Sequence, residues 1–282
     1  MLDSEKEDVK AKSKVTSEEW REYTKTVWNI ANTKHDVHPA MFPPEIPHRL
    51  TKLFSFWGET VLDPFSGIGT TGKACLPLGR KFIGVDTNKQ YINIAKKSLR
   101  EISSNGFSLI NGNSKNLVSI KDSSIGLIVT SPPYWNKADY GKYKGNIGVI
   151  NNYKEFLDSM RPILEECYRV LMPGRKLCVV TANVNQNTTD GLLTFPIASD
   201  YIQMGRELGF LLVNQIVWNK NGTGGKWGSF GGQRPIFGSY PYPPNFLFKN
   251  VNEYIIIFKK PDINKKKEDG KIPSYNKLMG LG

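Results

Sequence analysis

The chain has 282 residues, 39% of them hydrophobic and 23% charged, with 38 Lys and Arg against 26 Asp and Glu. Such a composition buries a sizeable core, which excludes wholesale disorder, and the length suits one large α/β domain or two small ones. The net charge of +12 favours a polyanionic partner, because each Lys or Arg placed on a phosphate releases counterions. No apolar run approaches the roughly 20 residues that span a bilayer. The charged N-terminus lacks the apolar stretch of a secretory signal. Cys75, Cys167 and Cys178 are too scattered for a disulfide framework or a zinc site, so a soluble intracellular protein is expected.

In chain order, residues 1–15 are polar and without periodicity and read as a flexible arm. Thr16 and Glu19 have capping-box spacing, and Trp20, Tyr23, Val27 and Trp28 recur at helical intervals, predicting a helix over about 17–30. His35 to Pro47 reads as irregular, with a short helix from Arg49 to Phe54. Strands are expected at Thr60–Leu62, Lys81–Val85, Phe107–Ile110, Gly126–Thr130, Lys176–Thr181, Phe210–Trp218 and Glu253–Lys259. Between them, helical patterns run to Leu78, from Tyr91 to Ile102, from Tyr153 to Leu171 before Pro173-Gly174, and from Ile197 to Leu208. This alternation predicts an α/β fold of Rossmann type, with seven strands in a mostly parallel sheet. The last two strands have no helical pattern between them, so the final one is expected to be antiparallel. Residues 16–260 then form one domain, with a cofactor half over 16–115 and a catalytic half over 116–260. A basic tail follows over 261–282, including Lys265-Lys266-Lys267.

Two motifs carry chemistry. Gly67-x-Gly69-x-x-Gly72 follows a strand, opens a helix and precedes the acidic strand end Asp86, which is the dinucleotide-type fingerprint. Asp63 lies at the end of the strand that enters this turn. A carboxylate there repels a pyrophosphate but attracts an ammonium or a sulfonium. S-adenosylmethionine carries both cations and no phosphate, with Asp86 placed to accept from ribose hydroxyls. Upstream, Phe42-Pro43-Pro44 offers an apolar wall. The second motif, Thr130-Ser131-Pro132-Pro133-Tyr134-Trp135, ends an apolar strand. Its prolines donate no backbone hydrogen bond and hold the turn extended. The Ser131 hydroxyl and a proline carbonyl are acceptors for an exocyclic amine, and Tyr134 and Trp135 offer planes for a stacked base.

Together these stretches resemble the amino-group DNA methyltransferases, the N4-cytosine and N6-adenine enzymes of restriction–modification systems. The residues concerned are Asp63-Pro64-Phe65-x-Gly67-x-Gly69-Thr70-Thr71 and Thr130-Ser131-Pro132-Pro133-Tyr134, supported by Arg169-Val170-Leu171-x-Pro173-Gly174 and Ile216-Val217-Trp218-x-Lys220. Ser-Pro-Pro-Tyr is typical of the cytosine-N4 enzymes and Asp-Pro-Pro-Tyr of the adenine-N6 enzymes. The resemblance implies S-adenosylmethionine as donor, held by Phe42, Pro43, Asp63, Phe65, Ser66, Gly67, Gly69, Thr70, Thr71, Asp86 and Asn113. It implies Ser131, Pro132, Pro133 and Tyr134 as the catalytic run. Where relatives carry Gly-Asp after the third strand this chain has Gly112-Asn113, and Gly126 stands where relatives often have Asp. Double-stranded DNA is the implied partner of a monomer or homodimer in a prokaryotic cytoplasm, at the nucleoid, with room for a cognate restriction endonuclease. The expected contacts are Trp135 at the end of the second motif and, in loops 136–152 and 219–251 where basic and aromatic residues alternate, Lys137, Tyr140, Lys142, Lys144, Lys220, Lys226, Trp227, Arg234 and Tyr240. Adenine-N6 methylation on the same fold is the nearest alternative, and a catalytically silent DNA-binding subunit a more distant one.

Overall fold

The computed structural model describes residues 3–32, 41–138, 141, 145–220, 242–244, 248, 250–262 and 278. The stretch read as an irregular arm forms helix α1 (Asp3–Lys12). It is built largely from good helix formers, and Lys12 pairs with Asp8 one turn earlier. Lys12 also stands over the Trp57 ring, and Ser13 Oγ accepts from the Trp57 N–H at 2.7 Å. Helix α2 (Ser17–Tyr23) starts at the expected capping box, with Thr16 and Glu19 bonding reciprocally. It does not continue to residue 30. The chain leaves the helix at Thr24, and Val27–Asn29 becomes strand β1, with Trp28 buried. Helix α3 (Glu45–Phe54) begins before Arg49, since Pro47 falls in the first turn, where a missing N–H costs no intrahelical bond.

The strands β2 (Thr60–Asp63), β3 (Lys81–Asp86), β4 (Phe107–Asn111), β5 (Ile125–Thr130), β6 (Leu171–Thr181), β9 (Leu211–Asn219) and β10 (Asn252–Lys259) match the seven expected. With β1 they make an eight-stranded sheet in the order β1-β9-β10-β6-β5-β2-β3-β4. The additional strand is β1, which pairs parallel with β9. In this sheet β10 runs against its neighbours β9 and β6, as expected from the lack of a helical sequence pattern before it. β6 begins directly after helix α6 (Tyr153–Val170) rather than at Lys176. Pro173-Gly174 lies just past the helix end, and the strand absorbs both residues as an irregularity in its pairing with β5. A second, unforeseen sheet is the hairpin of β7 (Val184–Thr188) and β8 (Gly191–Phe195).

Helices cover both faces. α6 and α7 (Ile197–Glu207) pack on one side through Phe156, Met160, Ile163, Leu164, Ile197 and Tyr201. α3, α4 (Thr70–Cys75) and α5 (Lys89–Ile102) cover the other through Ile46, Leu50, Cys75 and Leu99. Strands between two helical layers are apolar throughout, so all six residues of β5 are buried. On β10, Ile255 and Ile257 enter one core while Ile256 and Phe258 enter the other.

This order fixes where a ligand can bind. From β2 the chain winds outward through β3 and β4, then returns to the other side of β2 with β5 and continues to β6. The direction therefore reverses between β2 and β5, and an open crevice forms beyond their C-terminal ends. Asp63 and Ser131 stand at those two ends.

Candidate active site

The crevice is a cavity of about 840 Å³ that includes open solvent at its mouth. Its wall takes in Phe42, Asp63, Phe65, Ser66, Gly67, Thr70, Asp86, Asn113, Ser131 and Pro133 from the expected set. Pro43, Gly69 and Thr71 are not on the wall but support it. The Pro43 carbonyl accepts from Ile46 at 3.0 Å, starting α3. Gly69 caps α4 with φ +86°, a conformation that suits glycine. Gly72 has a different reason: a Cβ there would stand 2.7 Å from the Phe82 ring, so the residue lets α4 lie against β3. Thr71 Oγ1 donates to Asp63 Oδ2 at 2.6 Å.

Asp63 is fully enclosed. Its other oxygen accepts from Thr130 Oγ1 at 2.9 Å and from the Phe65 N–H at 3.0 Å. Burial nevertheless outweighs these bonds and pushes its carboxyl up to about 6, with a smaller contribution from the Asp86 charge. Asp86 is raised in the same direction by burial, and its two oxygens accept from the Gly67 and Asn88 N–H groups, each at 2.8 Å. Both carboxylates thus lie on one cavity wall, and burial disfavours the charged form of each. Ser66 supplies a further sign of a polar ligand. Its hydroxyl is buried on the cavity wall and has no hydrogen-bond partner among the described residues.

Some lining residues were not foreseen. Asn88 caps α5 by accepting from Gln90, and Asn-Lys-Gln after a strand end was the available signal. Met41, Tyr91 and Asn146 reach the wall from segments with no motif. Gly126 has a plain cause: a Cβ would approach Glu59 Oε2 to 2.9 Å, so the carboxylate side chain of Glu59 fills that space.

At the Ser131–Tyr134 turn Pro132 and Pro133 are buried, and Ser131 and Tyr134 are half-buried. Ser131 Oγ lies 3.2 Å from the Tyr134 hydroxyl, which donates to Glu253 Oε2 at 2.7 Å. Lys220 pairs with the other oxygen of Glu253. Glu253 was missed, although a lone acid opening an otherwise apolar strand was the signal.

Two expected DNA contacts are corrected. Trp135, taken as a stacking plane for a base, is turned inward by φ +55° and is 5% exposed, packed against Tyr153 and Phe195. Lys220, taken as a phosphate contact, spends its charge on Glu253 with its side chain 13% exposed. Lys137 is exposed and reaches Gln186 on β7. Tyr140, Lys142, Lys144, Lys226, Trp227, Arg234, Tyr240 and the Lys265–Lys267 run lie outside the described residues.

The fold is a mostly parallel α/β sheet with one reversed strand and a crevice at its switch point. A candidate methyltransferase from Bacillus halodurans shares it with a TM-score of 0.51, at 14% identity over 77% of this chain and 99% of that one. A candidate DNA modification methylase from Thermus thermophilus, solved with S-adenosyl-L-methionine, is 31% identical over 56% of this chain and 57% of that one, with a TM-score of 0.40. A family model described as DNA methylase, covering N6 and N4 methyltransferases, matches residues 2–97 and 125–279, and the chain belongs to that family. The type II methyltransferase M.BglI of Bacillus subtilis is 40% identical over 95 residues, covering 33% of this chain and 27% of that protein. M.MjaI of Methanocaldococcus jannaschii is 39% identical over 100 residues, 33% of each chain. The chain thus spans about a third or less of the curated relatives it matches at these identities. Among the described residues no helix is long and apolar enough to cross a membrane.

Proposed function

We propose that the chain transfers a methyl group from S-adenosylmethionine to the exocyclic N4 amine of a cytosine everted from double-stranded DNA. The observation that carries this reading is the position of Ser131. It stands on the wall of the same cavity as Asp63 and Asp86, across the switch point from the glycine-rich turn. The donor implied by the family supplies a methyl group on a sulfonium, and the residues present suit it. Asp63 and Asp86 would hold its cationic and hydroxyl-bearing parts, Phe42 would pack on its apolar parts, and the buried Ser66 hydroxyl would offer it a polar contact.

An exocyclic amine is a poor nucleophile because its lone pair is delocalised into the ring. Acceptance of its hydrogens by Ser131 Oγ and the Pro132 carbonyl localises that pair on nitrogen. The donor would supply its methyl carbon for in-line attack by this nitrogen, the carbon–sulfur electron pair would stay on sulfur as a neutral thioether, and the methylated amine would lose one of its two protons to water. No enzyme nucleophile is required: all three cysteines are buried away from the cavity. The work of the protein is positioning and electrostatics, with Tyr134 stacked on the base. Eversion of the base costs a few kcal/mol, met by backbone and stacking contacts. Lys137 and the basic and aromatic residues of loops 136–152 and 219–251 are the proposed DNA contacts, most of them outside the described residues. Lys137 reaches Gln186 on the β7–β8 hairpin, a two-stranded ribbon of the kind that a major groove admits. The type II names of the relatives are consistent with a cognate endonuclease as partner.

A serine rather than an aspartate at the head of the turn favours cytosine. The test is expression in a methylation-free host, followed by nucleoside mass spectrometry and sequencing of the modified sites. N4-methylcytosine at a defined sequence is the expected outcome. N6-methyladenine would assign the other member of the family's pair, and unmodified DNA would overturn the reading.

A further inference from the structure

We propose that Glu253 is a positioning residue that sets the direction of the hydrogen bonds at the catalytic turn, so that Ser131 faces the substrate amine as an acceptor. The proposal rests on the methyl-transfer reading above and adds to it a residue from the last strand.

A serine hydroxyl both donates and accepts, and nothing in its own chemistry decides which it offers to the cavity. Here the chain of bonds decides. Glu253 as a carboxylate only accepts, so the single hydroxyl proton of Tyr134 is committed to Glu253 Oε2 at 2.7 Å. The 3.2 Å contact between Ser131 Oγ and the Tyr134 oxygen is then made with Ser131 donating. With its proton directed away from the cavity, Ser131 turns its lone pairs toward the wall it lines. Those lone pairs are what an amine with two N–H groups needs. The reverse polarity would place a hydroxyl proton against the amine hydrogens and withdraw the acceptor.

The anchor suits this task. Glu253 is 9% exposed and sits at the start of β10, opposite Trp218 in the ladder with β9. Lys220 follows the end of β9 and takes Oε1, leaving Oε2 for Tyr134. A buried pair held at both ends by sheet strands keeps one geometry. The arrangement also explains why Lys220, expected at a phosphate, faces inward.

Two substitutions separate polarity from shape. In Glu253→Gln the carbonyl oxygen is drawn to Lys220, leaving the amide NH2 toward Tyr134, which reverses the chain. The expected result is a fall in kcat of about ten- to a hundredfold, with cofactor Kd and DNA KM within about twofold of the parent. Tyr134→Phe keeps the ring but frees the Ser131 hydroxyl to rotate, so it costs less than Glu253→Gln. In the Tyr134→Phe background, Glu253→Gln has no further effect on kcat, whereas a merely structural glutamate gives additive losses. Unchanged kcat in Glu253→Gln, additivity, or a larger loss in Tyr134→Phe would each overturn the assignment. Neutron diffraction from deuterated crystals reads the same polarity without turnover. The deuteron of Ser131 is expected on the line to Tyr134 and that of Tyr134 on the line to Glu253; the opposite order refutes the proposal. If the parent protein methylates no DNA while the deuterons lie as expected, the functional reading fails and the positioning inference stands as geometry.

Discussion

Thr130 Oγ1 donates to Asp63 Oδ1 across 2.9 Å, joining the last residue of β5 to the last residue of β2. This one bond couples the strand that carries the Ser-Pro-Pro-Tyr turn to the strand that enters the glycine-rich turn. Both groups are almost wholly enclosed, at 2% and 1% exposure. Thr130→Val keeps the shape and removes the donor. The expected cost is about 1–3 kcal/mol in urea unfolding, because a buried acceptor loses a partner. A raised cofactor Kd should accompany it, and an unchanged Kd would show that the two turns are independent.

The Asp63 carboxyl gives a dependence on pH. Its folded value of about 6 lies above the ordinary value of 3.8, so the native state holds the proton more tightly than the unfolded chain. Stability from this group is therefore greatest below about pH 4, declines as pH rises through 4 to 6, and is level above that. The two-unit difference corresponds to about 3 kcal/mol. Urea unfolding of the parent and Asp63→Asn at several pH values isolates the effect as a difference that grows across that window. A bound cation favours the charged form, so calorimetry should show cofactor affinity strengthening over the same rise in pH.

Ser131→Ala removes the acceptor proposed for the target amine. A loss of about 1.5–3 kcal/mol in transition-state stabilisation is expected, roughly ten- to a hundredfold in kcat. Cofactor Kd should stay near the parent's, since in the proposed reading the hydroxyl serves the base rather than the donor. Turnover equal to the parent's would remove Ser131 from the mechanism.

Gly145 combines φ +87° with a close approach: a Cβ there would stand 2.6 Å from Asn113 Nδ2. Gly145→Ala both strains the backbone and displaces Asn113 from the cavity wall. Cofactor affinity is expected to weaken at least about fivefold, a change of about 1 kcal/mol. Calorimetric titration with S-adenosylmethionine checks it.

Trp135 separates the two readings of the catalytic turn. If the ring stacked on DNA, Trp135→Ala would raise KM and leave the fold intact. Packed against Tyr153 and Phe195, it should instead cost about 3–5 kcal/mol of stability, read by denaturant titration.

Periodicity made the central strands legible, because β5 and β10 are buried on both faces and their apolar runs admit no other role. The glycine turn and Ser131 were legible because each chemical demand falls on adjacent residues. What sequence concealed depends on distant partners. β1 is three residues long and is a strand only because β9, nearly two hundred residues later, offers its edge. The β7–β8 hairpin carries Asn185, Gln186, Asn187 and Thr188, whose side chains give no apolar alternation; its ladder is joined by backbone pairing and by polar contacts such as Thr194 Oγ1 to Asn185 Oδ1. Trp135 and Lys220 looked like ligand contacts because composition describes what a side chain can do, not which way its backbone turns it. Glu253 meets Tyr134 across 119 positions of chain, beyond the reach of any local motif.

Cys75, Cys167 and Cys178 are each enclosed in the cores between sheet and helices. Burial pushes the Cys75 and Cys167 thiols up to about 12 and raises Cys178 as well, so none offers an appreciable thiolate at neutral pH. The native chain is thus already a blank background for maleimide chemistry. A single cysteine introduced at Lys137 would accept a fluorophore beside the catalytic turn and report base eversion in real time, with no prior removal of native sulfur.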